Sequence, residues 1–147
     1  MLVQCGELHS SFGMPNSPNM LIVDDEVNVA FTLQMVFESE GYKVTVAHSC
    51  AQALKKLADA HNFDVVMTDL NMEKEDIGLD VARAAQRLKP KPVIVICTGY
   101  ASVSNLGSAL DLRVDYVATK PADLPELLGA LRRLMALRTN ARSTSPR

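Results

Sequence analysis

Short apolar runs alternate with segments of helical periodicity from Met20 onward, and this alternation constrains the fold more than any other feature. The segments between the runs carry apolar residues three and four positions apart, which predicts helices. The runs are apolar on both faces, which is typical of a parallel sheet covered by helices on each side. The sequence therefore predicts an α/β fold close to (βα)5. The five predicted strands are 20–23, 43–47, 64–68, 92–97 and 115–119.

The composition fits one globular domain. The chain has 147 residues, of which 48% are hydrophobic and 22% charged, with a formal net charge of −2. These values exclude a disordered chain, and nothing in the total charge indicates a nucleic-acid partner. We expect a loose N-terminal extension over 1–19, the folded domain over 20–137 and a basic unstructured tail over 138–147. This division leaves no segment for a DNA-binding or other output domain.

The three cysteines indicate a reducing environment. Cys5, Cys50 and Cys97 are widely spaced and show no pairing of the kind that zinc sites use. There is also no basic segment before an apolar stretch, as a signal peptide needs, and no run long enough to span a membrane. We therefore expect a cytoplasmic protein without a membrane segment.

Polar side chains follow four of the five predicted strands. Asp24, Asp25 and Glu26 follow the first strand; the later ones are Asp69 after the third, Thr98 after the fourth and Lys120 after the fifth. Ligands of parallel α/β sheets bind beyond the carboxyl ends of the strands, so these groups should converge.

Clustered carboxylates repel one another unless a cation neutralises them. Mg²⁺ prefers oxygen ligands and commonly binds one or two carboxylates together with phosphate oxygens. Lys120 suits a phosphate anion, and Thr98 can donate to one of its oxygens. These side chains together therefore indicate phosphoryl transfer, in which catalysis depends mainly on positioning and charge neutralisation.

Over about residues 20–137 the chain resembles the receiver domain of two-component response regulators, in particular single-domain chemotaxis regulators. The resemblance rests on four motifs that occur in the family's order and at fitting separations. They are "LIVDDE" (21–26), "VVMTDLNM" (65–72), "VIVICTGYA" (93–101) and "TKP" (119–121).

The resemblance implies a flavodoxin-like, doubly wound five-stranded parallel sheet of order 2-1-3-4-5. It also implies that Asp69 is the nucleophile that accepts a phosphoryl group from a phosphohistidine. Asp25, Asp69 and the backbone carbonyl of Asn71 would bind Mg²⁺, with Mn²⁺ as an alternative ion, and Asp24 would act through a bound water.

Further implications concern the phosphoryl oxygens and the partners. Thr98 and Lys120 would hold the phosphoryl oxygens, and the Lys120–Pro121 peptide bond would be cis. The phosphodonor would be a sensor histidine kinase or a phosphotransfer protein, and the face of segment 101–112 is a candidate dimer interface. Receiver domains catalyse their own phosphorylation and dephosphorylation, although they are classed as signalling proteins.

The chain departs from the family pattern in the loop after Asp69. Glu73 stands where the family usually has proline, and the turn glycine, Gly78, arrives one residue late. Losing the proline should loosen the backbone near the metal carbonyl. The negative charges of Glu73 and Glu75 should in turn raise the affinity for a metal ion.

A second departure concerns the aromatic residue of the family's switch. Val117 takes the usual aromatic position, and Tyr116 should point to the opposite face of the strand unless a bulge reorients it. Tyr100 offers a second ring near the site, and we expect it to shield the phosphoryl group while Asn71 orients the attacking water.

Several alternatives remain open at the level of sequence. The domain could be a degenerate receiver that binds partners without phosphate, or a receiver fragment of a hybrid kinase or phosphorelay protein. Asp24 or Asp25 alone could cap the following helix. A calcium loop starting at Asp69 is disfavoured because Lys74 replaces the glycine it needs. A dinucleotide site is disfavoured because the first strand leads into no glycine.

Overall fold

A computed structural model of the chain describes residues 17–60, 62–99 and 103–144, and for 103–106 and 141–144 it describes the backbone alone. The strands are β1 (Asn19–Val23), β2 (Lys43–Ala47), β3 (Val65–Asp69), β4 (Val93–Thr98) and β5 (Tyr116–Thr119). The helices are α1 (Val27–Ser39), α2 (Cys50–Asp59), α3 (Gly78–Gln86), α4 (Val103–Asp111) and α5 (Leu124–Thr144).

The strands form one parallel sheet of order β2-β1-β3-β4-β5. Strands and helices alternate along the chain, which confirms the predicted doubly wound (βα)5 architecture. Each strand predicted from the sequence is present within one residue of its expected bounds. Because all the strands run in the same direction, their carboxyl ends lie along one edge of the sheet.

Two hydrophobic layers cover the faces of the sheet. On one face α2, α3 and α4 pack against alternate strand residues such as Leu21, Val66 and Ile94. On the other face α1 and α5 pack against residues such as Ile22 and Met67. The period of two along each strand explains this division, since neighbouring side chains point to opposite faces.

Local signals account for the starts of two helices. Ser49 is the N-cap of α2, and its hydroxyl accepts a hydrogen bond from the backbone N–H of Gln52. At α5 the carboxylate of Asp123 accepts a hydrogen bond from the N–H of Glu126. In α1, by contrast, the N-cap is Glu26, so neither preceding aspartate takes that role.

The C-terminal helix extends beyond the predicted domain boundary. The sequence predicts an unstructured tail from Arg138, but α5 continues to Thr144. Arg138 itself is tied to the domain, because it donates to a carboxylate oxygen of Asp64 at 2.9 Å and to the backbone carbonyl of Lys91 at 2.9 Å. Through these contacts with Asp64 and Lys91, the start of the basic segment is bound to the domain, which its composition does not predict. Residues 145–147, like 1–16 of the predicted N-terminal extension, lie outside the described residues.

Candidate functional site

The carboxyl edge of the sheet brings three carboxylates together. Asp24 and Asp25 follow β1, and Asp69 is the last residue of the neighbouring strand β3. Carboxylate oxygens of the three residues all lie within 4.8 Å of one another. Among the described residues, this is the one group of three or more side chains that could hold a metal ion. Asp24 and Asp69 are buried, whereas Asp25 is exposed. The cluster therefore has a buried base and one side open to solvent.

Lys120 supplies the positive charge of the site. Its Nζ lies 2.8 Å from Oδ2 of Asp24 and 3.1 Å from Oδ2 of Asp69, and Oε1 of Glu26 lies 3.6 Å away. One ammonium thus bridges two buried carboxylates that come from different strands. The Lys120–Pro121 peptide bond is cis, as the resemblance to receiver domains implies.

The ionisation of the site reflects burial and these contacts together. Burial raises the pKa of Asp69 above its ordinary value, and the hydrogen bond and charge of Lys120 oppose this only in part. Burial alone would lower the pKa of Lys120, but its hydrogen bonds with Asp24 and Asp69 and the charges of these two carboxylates together outweigh burial and raise the pKa. Lys120 is therefore fully charged at neutral pH, while Asp69 is held in an unfavourable environment for its charge.

Thr98 ends β4 beside these residues. It is buried, and its backbone carbonyl accepts a hydrogen bond from the N–H of Lys120 at 2.8 Å. That bond continues the regular pairing of β4 with β5, in which Thr98 lies opposite Thr119. Thr98 and Lys120 are therefore adjacent at the carboxyl edge, as the strand-end argument predicts.

Asn71 lies in the loop that follows β3. Its backbone N–H lies 3.4 Å from Oδ1 of Asp69, and its side-chain oxygen accepts a hydrogen bond from the N–H of Asp76 at 2.6 Å. Asp76 has a positive φ of 61°, which aspartate tolerates better than most residues. The loop thus turns at Asp76, whose N–H is bound to the Asn71 side chain.

Two further contacts at the site escape the sequence argument. His48 follows β2 at the same edge, and its Nδ1 lies 3.1 Å from the backbone oxygen of Asp24. The strand-end rule applied to β2 would have found His48. Glu73, in the long loop, accepts a hydrogen bond from the backbone N–H of Cys50 at 3.1 Å. No local pattern predicts that contact, because it joins residues far apart in sequence.

The aromatic residues differ from the family pattern as the sequence predicts. β4 and β5 pair without a bulge, so Tyr116 and Val117 point to opposite faces of the sheet. Val117 packs beside the α2–α4 layer, while Tyr116 packs on the α1 and α5 side. The Tyr116 hydroxyl donates to Oε1 of Glu126 at 3.0 Å. Tyr100, expected to shield the site, lies outside the described residues.

The structure also bears on the calcium alternative and on the role of Cys97. A calcium loop of the helix-loop-helix type would need a helix before Asp69, but the preceding residues form strand β3, so that alternative is wrong. Cys97 lies beside the site, and burial raises the pKa of its thiol to about 12. It is therefore a core residue rather than a reactive thiolate.

Comparison with known proteins agrees with this geometry. The family model for the response regulator receiver domain matches residues 20–132. The chain belongs to the response regulator receiver family. Membership supports phosphorylation-dependent signalling in general, within two-component systems.

The relatives are longer proteins. The chain is 31% identical over 126 residues to the uncharacterized transcriptional regulatory protein YkoG of Bacillus subtilis, covering 86% of this chain and 54% of that protein. It is 32% identical over 119 residues to the transcriptional regulatory protein ZraR of Escherichia coli, covering 80% of this chain and 26% of ZraR. The chain thus spans about half or a quarter of these relatives.

Solved structures show the same fold. A CheY-like receiver domain protein of Methanospirillum hungatei aligns with a TM-score of 0.79 at 25% identity, covering 84% of this chain and 98% of that one. A response regulator of Burkholderia pseudomallei, solved with a phosphorylated aspartic acid, calcium ion and citrate, aligns with a TM-score of 0.71 at 33% identity. That alignment covers 87% of this chain and 74% of the other. Among the described residues, no helix is long and apolar enough to cross a membrane.

Proposed function

We propose that the chain is a phosphorylation-dependent signalling switch in which Asp69 accepts a phosphoryl group from a phosphohistidine, with Mg²⁺ bound at the same site. One observation carries the proposal: a buried, lysine-paired carboxylate lies at the carboxyl edge of the sheet within 4.8 Å of two further carboxylates. A purely structural role would leave this concentration of charge without a purpose, because buried carboxylates are costly.

The donor set fits Mg²⁺. Three carboxylates face a single nearby ammonium, so a divalent cation would complete the neutralisation of the cluster. Asp25, Asp69 and the backbone carbonyl of Asn71 would hold the ion, and Asp24 would act through a bound water. When bound, Mg²⁺ neutralises charge on the carboxylates and on the phosphoryl oxygens.

The protein residues then perform the transfer. A carboxylate oxygen of Asp69 forms a bond to phosphorus while the bond from phosphorus to the histidine nitrogen breaks, and that electron pair stays on the imidazole. Lys120 moves its hydrogen bonds from the carboxylates to a phosphoryl oxygen, and Thr98 donates to another. Thr98 is buried at the end of β4, and Lys120 is held by its ion pairs with Asp24 and Asp69, so both groups are positioned before the donor arrives.

The surface beside the site supports a protein donor. Val27, Phe31 and Met35 are 61%, 59% and 56% exposed and lie four residues apart on α1. Residues at this spacing share one helical face, and we call these three the α1 stripe. A groove of about 470 Å³, lined on its α1 side by residues outside the stripe, extends to Lys120, Pro121 and Leu124. A kinase or phosphotransfer domain docked on the α1 stripe would bring its phosphohistidine to Asp69.

The experiment is to expose the chain to phosphoramidate, a small phosphodonor, with and without Mg²⁺, and to measure intact mass. We expect the mass of one phosphoryl group to be added to the wild type only with Mg²⁺, and Asp69→Asn to remain unmodified. Asp59→Asn, at an exposed aspartate on α2, is the matched control and should react like the wild type. An unmodified wild type would favour the degenerate interaction module, and a modified Asp69→Asn would overturn the assignment of Asp69.

The described side chains of the predicted self-association face, those of residues 107–112, include an exposed leucine. Leu110 in α4 is 75% exposed and borders a groove that includes Val114 and Val117. We propose that a second copy of the chain binds here. Sedimentation of the phosphorylated wild type and of Leu110→Asp tests this, with Leu137→Asp, at a leucine of α5 that is 64% exposed, as the control. Monomeric wild type at all concentrations would refute the dimer.

A further inference from the structure

The loop that connects β3 to α3 has an unusual anchor. The loop spans residues 70–77 and has Glu73 where receivers usually carry proline. Oε2 of Glu73 accepts a hydrogen bond from the backbone N–H of Cys50 at 3.1 Å, across 23 positions of sequence. Cys50 is the first residue of α2. The side chain of a metal-site loop is therefore bound to the beginning of a different helix.

This contact is physically favourable at both ends. The first N–H groups of a helix have no partner within the helix, and the helix dipole makes that end positive. Ser49 already satisfies the N–H of Gln52 within α2. The carboxylate of Glu73 satisfies the N–H of Cys50 and adds a charge of the favourable sign.

The anchor is rigid because α2 is part of the core. Cys50, Ala53 and Leu57 are buried in the layer that α2 shares with α3. A loop bound to α2 through Glu73 is thus held against a fixed element rather than against another loop. On the other side of the loop, Gly78 donates its N–H to the carbonyl of Leu70 at 2.8 Å, which closes the base of the loop.

Asn71 lies between these fixed points. Asp69 at the end of β3 precedes it by two residues, and Glu73 follows it by two. Met72, between Asn71 and Glu73, packs against the core layer. The hydrogen bond from the N–H of Asp76 to the side-chain oxygen of Asn71 is a further contact that holds Asn71 in place. The peptide group that carries the Asn71 carbonyl is also held within the loop, because the N–H of Met72 donates to the carbonyl of Lys74 at 3.2 Å. Without proline, these contacts together act on the direction of the Asn71 carbonyl.

We propose that Glu73 is a positioning residue of the metal site: by binding the first amide of α2, it fixes the backbone carbonyl of Asn71 in the direction of the cation. The inference rests on the proposed Mg²⁺ site. It differs from the simpler view that the acidic loop attracts a cation through its charge alone. Groups that orient metal ligands commonly contribute about 10-fold or more to metal affinity.

The test compares substitutions that separate hydrogen bonding from charge. Glu73→Gln keeps an acceptor oxygen and loses the charge, whereas Glu73→Ala loses both. Glu75→Ala removes an exposed charge from the same loop and is the matched control. Mn²⁺ binding, followed by the electron paramagnetic resonance signal of the free ion, reports affinity without any phosphoryl transfer. Asp25→Asn provides the reference for a lost ligand.

We expect Glu73→Ala to weaken Mn²⁺ binding by about 10-fold. Glu73→Gln and Glu75→Ala should stay within about 2-fold of the wild type, since a neutral acceptor can replace the charged one at modest cost. Labelling with ¹⁵N-cysteine gives amide signals from only three residues. The Cys50 signal, assigned with Cys50→Ser, should shift in Glu73→Ala much more than in Glu75→Ala, with or without metal.

Three results would overturn the inference. Wild-type affinity in Glu73→Ala would show that the contact does not position a ligand. Equal losses in Glu73→Gln and Glu75→Ala would show that charge alone acts. A wild type that binds no Mn²⁺, indistinguishable from Asp25→Asn, would refute the metal site of the proposed function together with this inference. The first two outcomes leave the proposed function intact, so the failures can be told apart.

Discussion

The backbone of Gly78 packs directly against the backbone carbonyl of Asp69. A Cβ atom on Gly78 would overlap that oxygen and also press on Leu70. Gly78 is the first residue of α3 and Asp69 the last of β3, so the helix starts in contact with the strand end that presents the proposed phosphoacceptor. The absent side chain is what allows the two elements to meet at this distance.

Gly78→Ala should therefore displace Asp69. The added methyl group cannot be accommodated by a side-chain rotation, because the obstructing atoms are backbone. We expect a loss of about 1–3 kcal/mol in the free energy of unfolding, as for other overpacked sites. Urea denaturation measures the stability, and phosphoramidate labelling measures the reactivity of Asp69, which should fall.

Gly107→Ala is the matched control. Gly107 lies within α4, and a Cβ there would have no neighbour within 4 Å. Alanine in a helix interior is favoured over glycine by about 0.5–1 kcal/mol, so this variant should be slightly more stable and fully reactive. Equal effects from the two substitutions would contradict the close contact as the cause.

The raised pKa of Asp69 predicts a pH-dependent gain of stability in Asp69→Asn. A carboxyl whose pKa is higher in the folded state favours folding at low pH, and this contribution is lost as the pH rises through the folded-state pKa. Asn is uncharged throughout. In the absence of divalent metal, the variant should match the wild type most closely in acid and exceed its stability at neutral pH. Urea midpoints measured from acid to neutral pH test this.

Asp59→Asn gives the comparison for an exposed carboxylate on α2. Its stability difference from the wild type should stay small across the same range. A neutral-pH loss of stability in Asp69→Asn would mean that the ion pair with Lys120 outweighs the cost of burying the charge. That outcome would contradict the direction of the Asp69 pKa shift.

The period of apolar residues predicts the fold well, because β-branched runs and helical stripes are local features of the chain. Val65 and Val93, for example, begin strands whose five or six residues are all buried. The limits of α5 could not be predicted in the same way. Arg138 extends the ordered helix through contacts with Asp64 and Lys91, which are distant in sequence.

In the site, too, some contacts follow from local sequence patterns and others depend on residues that are distant in sequence. Strand ends bring Asp24, Asp69 and Lys120 together, and the topology that follows from the alternation of elements is enough to anticipate this. The role of Glu73, which stands where receivers usually have proline, could not be anticipated. Glu73 was expected only to add charge, whereas it contacts the amide of Cys50, a partner that becomes visible only once α2 and the loop are placed.

Tyr116→Phe should leave phosphorylation unchanged. The Tyr116 ring lies on the face opposite Val117, and its hydroxyl is bound to Glu126 rather than directed to Thr98. The hydrogen bond to Glu126 raises the pKa of Tyr116 above its ordinary value, so Glu126→Gln should lower it, as a tyrosine NMR titration would detect. A phosphorylation rate that changes several-fold in Tyr116→Phe would mean that the ring is coupled to the site after all.

Phe31→Ala should separate docking from chemistry. Phe31 is the middle residue of the α1 stripe and is exposed, so its removal should change stability by less than about 0.5 kcal/mol. If a phosphodonor protein binds this stripe, loss of a central aromatic contact should slow transfer from a phosphorylated histidine phosphotransfer domain by about 10-fold, equivalent to about 1.4 kcal/mol. The rate with phosphoramidate, which needs no docking, should stay at the wild-type value.

Leu54→Ala, at a partly exposed leucine of α2, should affect neither rate. Equal slowing with both donors would place the effect of Phe31 in the site itself, and no slowing with the protein donor would place the docking surface elsewhere.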